Sequence, residues 1–296
     1  MNSAFVTFVY PRAKRFFNNF IKSIESQSVK KFKLILFNDG CSTEELKLFH
    51  LSGLDIHIEE NNCSSIAQNR LKAIDWLYES NYDFIIFGDI DDTFAHNRVE
   101  VLMETLKKHP IVINELHLIN HKNKVIQRNL VETYLYKKKV INKSMIRECN
   151  LIGFSHLAVH KKTLNVLRNI YIDENLKIVD WLFASYLLID TNAFFENRTF
   201  TNYVLHENNI GLNDEDSIET YMFILDTKII QYSHITDFDA WYSKELKRLE
   251  KLKLNIENDL RVAKRFQSYM NKQKKIYYPW WTQIKNSEEL ESEIYF

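Results

Sequence analysis

The segment Phe84-Ile85-Ile86-Phe87-Gly88-Asp89-Ile90-Asp91-Asp92-Thr93 sets three carboxylates within four positions, directly after a run without a polar side chain. A continuous apolar run of that length reads as a strand buried on both faces. In an extended continuation alternate side chains point the same way, which predicts Asp89 and Asp91 side by side. Like charges that close repel unless a cation sits between them. Carboxylate oxygens suit Mg2+ or Mn2+, ions that in turn hold diphosphate oxygens. The plain alternative is a solvated acidic loop. It explains less, because an apolar strand followed by a glycine delivers the acids at a sheet edge.

A repeating scaffold surrounds these residues. Short apolar runs at 4–10, 32–37, 55–58 and 83–87 read as strands, and amphipathic stretches at 16–27, 44–51, 65–79 and 97–108 read as helices. Strands alternating with helices predict a parallel sheet covered on both faces, with ligands at the carboxyl ends of the strands. That rule puts Asp39, in Asn38-Asp39-Gly40, on the same edge as Asp89 to Asp92. Further strand-like runs follow at 111–119, 157–160 and 193–200, with one strongly apolar helix at 179–189. The polar residues 207–217 read as a loop able to close over a ligand.

Most of the chain resembles the family 2 glycosyltransferases. The first strand opens into a turn at Pro11. The second ends in Asn38-Asp39-Gly40-Cys41-Ser42, against the family's Asp-Asp-Gly-Ser, with Asn38 replacing the first Asp. Gln68-Asn69-Arg70 stands for the family's Arg-Asn segment in reversed order, and Asp89-Ile90-Asp91-Asp92 matches its Asp-x-Asp-Asp. The resemblance implies an α/β chain of GT-A type: a Rossmann-like nucleotide-sugar-binding domain with a mixed central sheet and a C-terminal helical extension. It implies donor contacts at Pro11, Asp39, Arg70 and Asp89, with Asp39 accepting the uracil N–H and Asp89 facing the ribose. It puts Asp91 on the metal, with Asp92 nearby.

The second half carries the resemblance further. Gly153-Phe154-Ser155 is similar to the small-residue segment that borders the acceptor site. Asp180, in Val179-Asp180-Trp181, stands at the family's catalytic base, with Val179 where a Glu is usual. A carboxylate there would take the proton of an acceptor hydroxyl as it attacks the anomeric carbon opposite the departing diphosphate, giving inversion. His206 stands for the His of the family's Arg-x-His segment, whose Arg is absent here, and would be a metal ligand. An imidazole ligand is a mild argument for Mn2+ over Mg2+.

The implied reaction is transfer from a nucleotide diphosphate sugar, UDP-linked by the uracil contact, to a hydroxyl of a glycan or lipid-linked acceptor in bacterial surface polysaccharide or lipopolysaccharide synthesis. Two alternatives stay open. Asp89-x-Asp91-x-Thr93 also resembles the first motif of haloacid-dehalogenase-like phosphatases, where Asp89 would be a nucleophile with Mg2+; Asp214 and Asp216 could supply a later acidic pair, but no full set follows in order. A non-catalytic nucleotide-sugar-binding protein could keep the same fold.

The totals narrow the class. The 296 residues balance 39 Lys+Arg against 39 Asp+Glu, so no global field points to nucleic acid as a partner. Cys41, Cys63 and Cys149 are scattered and odd in number, which fits a reducing compartment better than a disulfide framework. The N-terminus lacks signal-peptide character, and no run approaches the ~20 apolar residues of a membrane span. A cytoplasmic location, peripheral to the inner membrane face, is expected. Composition predicts a domain over 1–240, with a nucleotide-binding half at 1–110 and an acceptor half at 111–240, then a basic helical and aromatic extension over 241–296. The helical stretch at 243–275 and Tyr277-Tyr278-Pro279-Trp280-Trp281 suit either an anionic leaflet or packing of Leu246, Leu249, Leu252 and Leu260 on protein, including a homo-oligomer.

Overall fold

The computed structural model describes residues 2–176, 178–206, 217–276, 290 and 292–294. Its contacts group into two units. The first comprises Met1–Asn142, Ile152–Ile170 and Asp190–His206; the second comprises Lys143–Leu151, Tyr171–Ile189 and Glu207–Phe296. The compositional change at residue 240 falls inside the second unit, so composition and contacts divide the chain differently.

The first unit is built on strands β1 (Ser3–Val9), β2 (Lys33–Asn38), β3 (Ile56–Glu60), β4 (Phe84–Phe87), β5 (Thr93–Phe94), β6 (Ile111–Asn120), β7 (Val125–Gln127), β8 (Val140–Ile141), β9 (Leu157–His160) and β10 (Ala193–Leu205). Helices α1 (Phe17–Glu25), α2 (Thr43–Leu51), α3 (Ile66–Glu79), α4 (Arg98–Leu106) and α5 (Leu130–Leu135) connect them. The sheet order is β3-β2-β1-β4-β9-β6-β10-β5, with β7 on β6 and β8 on β10. The alternating pattern led to the expectation of a parallel sheet; the sheet is mixed, as the family resemblance implied. β9 lies antiparallel between β4 and β6, and β5 is antiparallel to β10. Two reversals restore direction, so β6 and β10 run with β1, β2, β3 and β4. Their carboxyl ends therefore share one edge.

Local sequence explains the elements. In α1 the residues Phe17, Phe20, Ile21 and Ile24 are buried at i, i+3, i+4 and i+7, the spacing of one helical face. A 3-10 helix, Pro11–Phe16, precedes it with proline at its first turn. A capping box starts α2, in which Ser42 and Glu45 satisfy each other's backbone N–H groups. The strand expected at 193–200 continues to Leu205 and shifts register between Glu196 and Phe200.

The second unit contains α6 (Val179–Leu187), α7 (Ile218–Ser233), α8 (Ala240–Asn258) and α9 (Leu260–Ile276). No helix was expected at α7. Its buried face includes Lys228 and Gln231, which interrupt the apolar periodicity that marks a core-facing helix. The charged stretch at 243–275 is two helices, broken at Asp259, whose backbone is extended and whose carboxylate accepts the Arg261 N–H. Tyr242, Leu249, Leu252 and Ile256 of α8 are buried, whereas Leu260 is exposed. Packing on protein thus accounts for most of the apolar positions of α8. The aromatic cluster at 277–281 and the polar segment at 207–216 lie outside the described residues. Among the described residues no helix is long and apolar enough to cross a membrane.

Candidate active site

The acids leave β4 in a turn rather than an extended run. The Asp92 N–H donates to the Asp89 carbonyl at 3.2 Å, closing a four-residue turn, so strand alternation does not relate Asp89 to Asp91. Gly88 permits the entry: a Cβ there would lie 2.6 Å from the Phe94 ring and 2.7 Å from that of Phe5. The turn separates the three acids by environment. Asp89 and Asp91 stay partly exposed, while Asp92 is buried.

Asp92 is a strut. Its carboxylate accepts the Val204 N–H at 2.8 Å and the Ser155 hydroxyl. It thereby ties the acid turn to residues 153–156 and to the end of β10, two positions before His206. Burial, then the nearby Asp91 and Asp89 charges, push its pKa well above the carboxylate range, against the pull of its two hydrogen bonds. Behind it lies Arg98, fully buried, which donates to Asn114 Oδ1 (2.8 Å), the Phe87 carbonyl (2.7 Å) and the Ser155 carbonyl (3.1 Å). Burial lowers the Arg98 pKa, and Asp92 and Asp89 counter the effect. Arg98 is a site residue that sequence reasoning missed. Its signal was present: residues 98, 101, 102 and 105 form one buried helix stripe, so a cation sits among apolar positions.

His206, at the carboxyl end of β10, sets Nε2 2.9 Å from Asp91 Oδ2 and packs its ring at 4.7 Å from Phe16. The two side chains expected to hold a metal therefore meet, although 115 residues apart in sequence. Their separation fits the edge of a coordination octahedron with arms of about 2.1 Å. Among the described residues no three His, Cys, Asp or Glu side chains gather as a ligand set.

The neighbouring strand ends supply the other expected residues. Pro11 opens the turn after β1 and is exposed. Tyr10, just before it, is partly buried; burial first, then the charges of Asp91 and Asp89, raise its pKa, while Arg70 lowers it. Those influences put Tyr10 within electrostatic reach of the acid turn and of Arg70. The Arg70 guanidinium carbon lies 3.3 Å from the centroid of the Phe8 ring, a cation–π contact. Asn69 has a different task, accepting the Cys63 N–H and fixing the loop before α3.

Asp39 follows β2, and its N–H donates to the Val9 carbonyl, tying the ends of β1 and β2 together. Asn38 is a clamp: Oδ1 accepts the Cys41 N–H, and Nδ2 donates to the Cys41 carbonyl and to Glu60. A carboxylate could accept but not donate, and would face Glu60 with like charge. This is a physical reason for Asn at the position where the family pattern has Asp. Gly40 completes the turn at φ +88°, in the left-handed region that glycine occupies without penalty.

Ser155 is buried on Asp92, Arg98 and Thr201. Asp180 lies in the second unit, in the first turn of α6, where its Oδ1 accepts from Asn150 Nδ2 (3.2 Å) and the Trp181 N–H (2.9 Å).

Comparison with known proteins agrees with this frame. Residues 5–164, more than half of the chain, match the family described as glycosyl transferase family 2. A teichoic acid poly(glycerol phosphate) polymerase of Staphylococcus epidermidis is 23% identical over 215 residues, covering 69% of this chain; the chain spans only 28% of that protein's length. The crystal structure of S. aureus TarS 1-349 in complex with UDP-GlcNAc superposes with a TM-score of 0.60 at 13% identity, covering 93% of this chain and 80% of that one. GalNAc-T7 with UDP, GalNAc and Mn2+ gives 0.52 at 11% identity, covering 99% and 53%. These likenesses bear on fold. The family match runs through the acid turn, which here follows the fourth strand, and it replaces the phosphatase alternative. With the GT-A fold and the acid turn in place, the chain belongs to glycosyl transferase family 2.

Proposed function

We propose that the protein transfers a sugar from a UDP-linked donor to a hydroxyl acceptor with inversion, using a divalent cation held by Asp91 and His206. The observation that carries this reading is the Asp91–His206 pair at 2.9 Å, at the same sheet edge as Asp89, Asp39 and Pro11. When bound, a divalent cation, Mn2+ by preference for the imidazole, would neutralise the diphosphate and stabilise leaving-group charge. Asp89 would face the ribose, and Asp39 would accept the base N–H. Arg70, held over the Phe8 ring, would offer its donors to the base or diphosphate. Asp180 would take the acceptor proton; hydrogen bonds from Asn150 and Trp181 hold its Oδ1 and so fix the plane of the carboxylate.

The UDP-GlcNAc seen with TarS supports a UDP-sugar donor, and the polymerase relative supports an acceptor in surface-polymer synthesis. The test is calorimetric titration with UDP, with and without Mn2+, on wild type, Asp91→Asn and His206→Ala. The Mn2+-dependent gain in UDP affinity is expected to fall at least tenfold in both variants, with metal-free affinity unchanged. An undiminished gain in Asp91→Asn would remove the proposed metal site.

A further inference from the structure

Between the end of β6 and the start of β8 the chain makes an excursion unlike the rest of the first unit. Residues 121–142 contain Lys122, Lys124, Arg128 and the lysines at 137–139 against a single acid, Glu132. All six cations are exposed, and among the described residues none is ion-paired. The same excursion exposes large apolar side chains: Val125 at 37%, Ile126 at 53%, Tyr136 at 86% and Val140 at 51%.

The exposure of Val125 and Ile126 together is informative. β7 meets β6 with a register shift, Leu118 opposite Gln127 and Ile119 opposite Val125, so Ile126 is the extra residue of a bulge. Leu118 and Ile119 stay buried, so β7 rather than β6 carries the exposed apolar side chains of this hairpin. The second station follows α5, whose six residues span about 9 Å. There Tyr136 and Lys137 both adopt left-handed backbone conformations, φ 47° and 70°, unfavourable for residues with side chains. Tyr136 is turned out to solvent rather than into the core.

We infer that this excursion is a docking surface for an anionic lipid bilayer. Aliphatic and tyrosine side chains set among cations are the composition of a membrane-interface segment: the apolar groups enter the acyl boundary while the cations meet anionic headgroups. A soluble polyanion would use the cations but would gain nothing from exposed Val125 and Ile126. The hairpin starts at Asn120, which is in register with Leu205, the residue before His206. Val140 pairs with Phe194 near the start of that same strand, so the excursion runs along β10 from one end to the other, and docking through both stations would lay the strand along the bilayer. The inference stands apart from the proposed reaction and from the C-terminal segment.

The test is flotation of the full chain with vesicles of phosphatidylcholine alone and of equal parts phosphatidylcholine and phosphatidylglycerol. Wild type should float only with the anionic vesicles. Lys122→Glu/Lys124→Glu, and separately Lys137→Glu/Lys138→Glu, should each lower vesicle affinity at least about tenfold. Ile126→Asp/Tyr136→Asp should lower it comparably, and all variants should keep the wild-type melting temperature and UDP affinity. Failure of wild type to float, or variants that float like wild type, would overturn the inference. So would full binding by Ile126→Asp/Tyr136→Asp with loss only on charge reversal, coupled to equally tight binding of soluble polyphosphate, because that pattern marks a polyanion site.

Discussion

Replacing Asp92 separates hydrogen bonding from charge in the strut behind the acid turn. In Asp92→Ala the buried Val204 N–H loses its acceptor, 2.8 Å away in the native protein, and the Ser155 hydroxyl loses its partner. A buried backbone N–H left unsatisfied costs about 1–3 kcal/mol, and the hydroxyl and small void add about 1 kcal/mol more. The expected loss is therefore about 2–4 kcal/mol. At about 2–4 °C per kcal/mol for a domain of this size, Tm should fall by roughly 5–15 °C. Asp92→Asn keeps the shape: its Oδ1 still accepts from Val204 and its Nδ2 donates to Ser155. It carries no charge for burial, Asp91 and Asp89 to oppose, so near neutral pH its stability should stay within about 1 kcal/mol of wild type or exceed it. Differential scanning fluorimetry and urea melts of both variants at pH 7.5 measure this. If Asp92→Asn were as damaging as Asp92→Ala, attraction between carboxylate and Arg98 would outweigh the hydrogen bonds, and the strut argument would fail.

Other expectations concern separate parts of the molecule. Besides the Asp91 and His206 titrations above, Asp180→Asn should leave UDP affinity intact while kcat falls by about 10²–10⁴; normal turnover would exclude Asp180 as the base. Asn38→Asp would set two carboxylates about 3 Å apart and lose the Nδ2 donor, costing about 1–3 kcal/mol at pH 8. The variant pair would hold a shared proton more tightly folded than unfolded, so this Tm deficit should shrink as pH falls through the carboxylate range; a pH-independent deficit would refute the repulsion. Burial first, then Glu45, Asp39 and Glu60, raise the Cys41 thiol to about 11, leaving roughly one part in a thousand as thiolate at pH 8. Peptide mapping after iodoacetamide treatment should find half-buried Cys63 labelled well before Cys41.

The sequence by itself determined the strands that carry the site and the edge on which they end. Phe84 to Phe87 is apolar throughout, so it must be buried, and the acids that follow must emerge at the boundary of the sheet. The same logic located Asp39 after β2, and the acid pattern disclosed the family. Periodicity also gave α1, α3 and α6 to within a few residues, because each keeps an apolar face or a cap.

Tertiary structure decided what local pattern cannot encode. Antiparallel β9 enters between β4 and β6, a pairing set by which strand edges are left open rather than by the residues of β9 alone. Division of labour within Asp89-Ile90-Asp91-Asp92 depends on Ser155, Val204 and Arg98 closing over Asp92, contacts that span 63 and 112 residues for the first two. The meeting of Asp91 and His206 requires β10 to run with β4 on the far side of β9. Helix α7 stayed hidden because its buried Lys228 and Gln231 read as solvated positions until their surroundings were known. Side-chain type fixes what a residue can do; only the packed chain fixes which neighbours hold it and whether water reaches it.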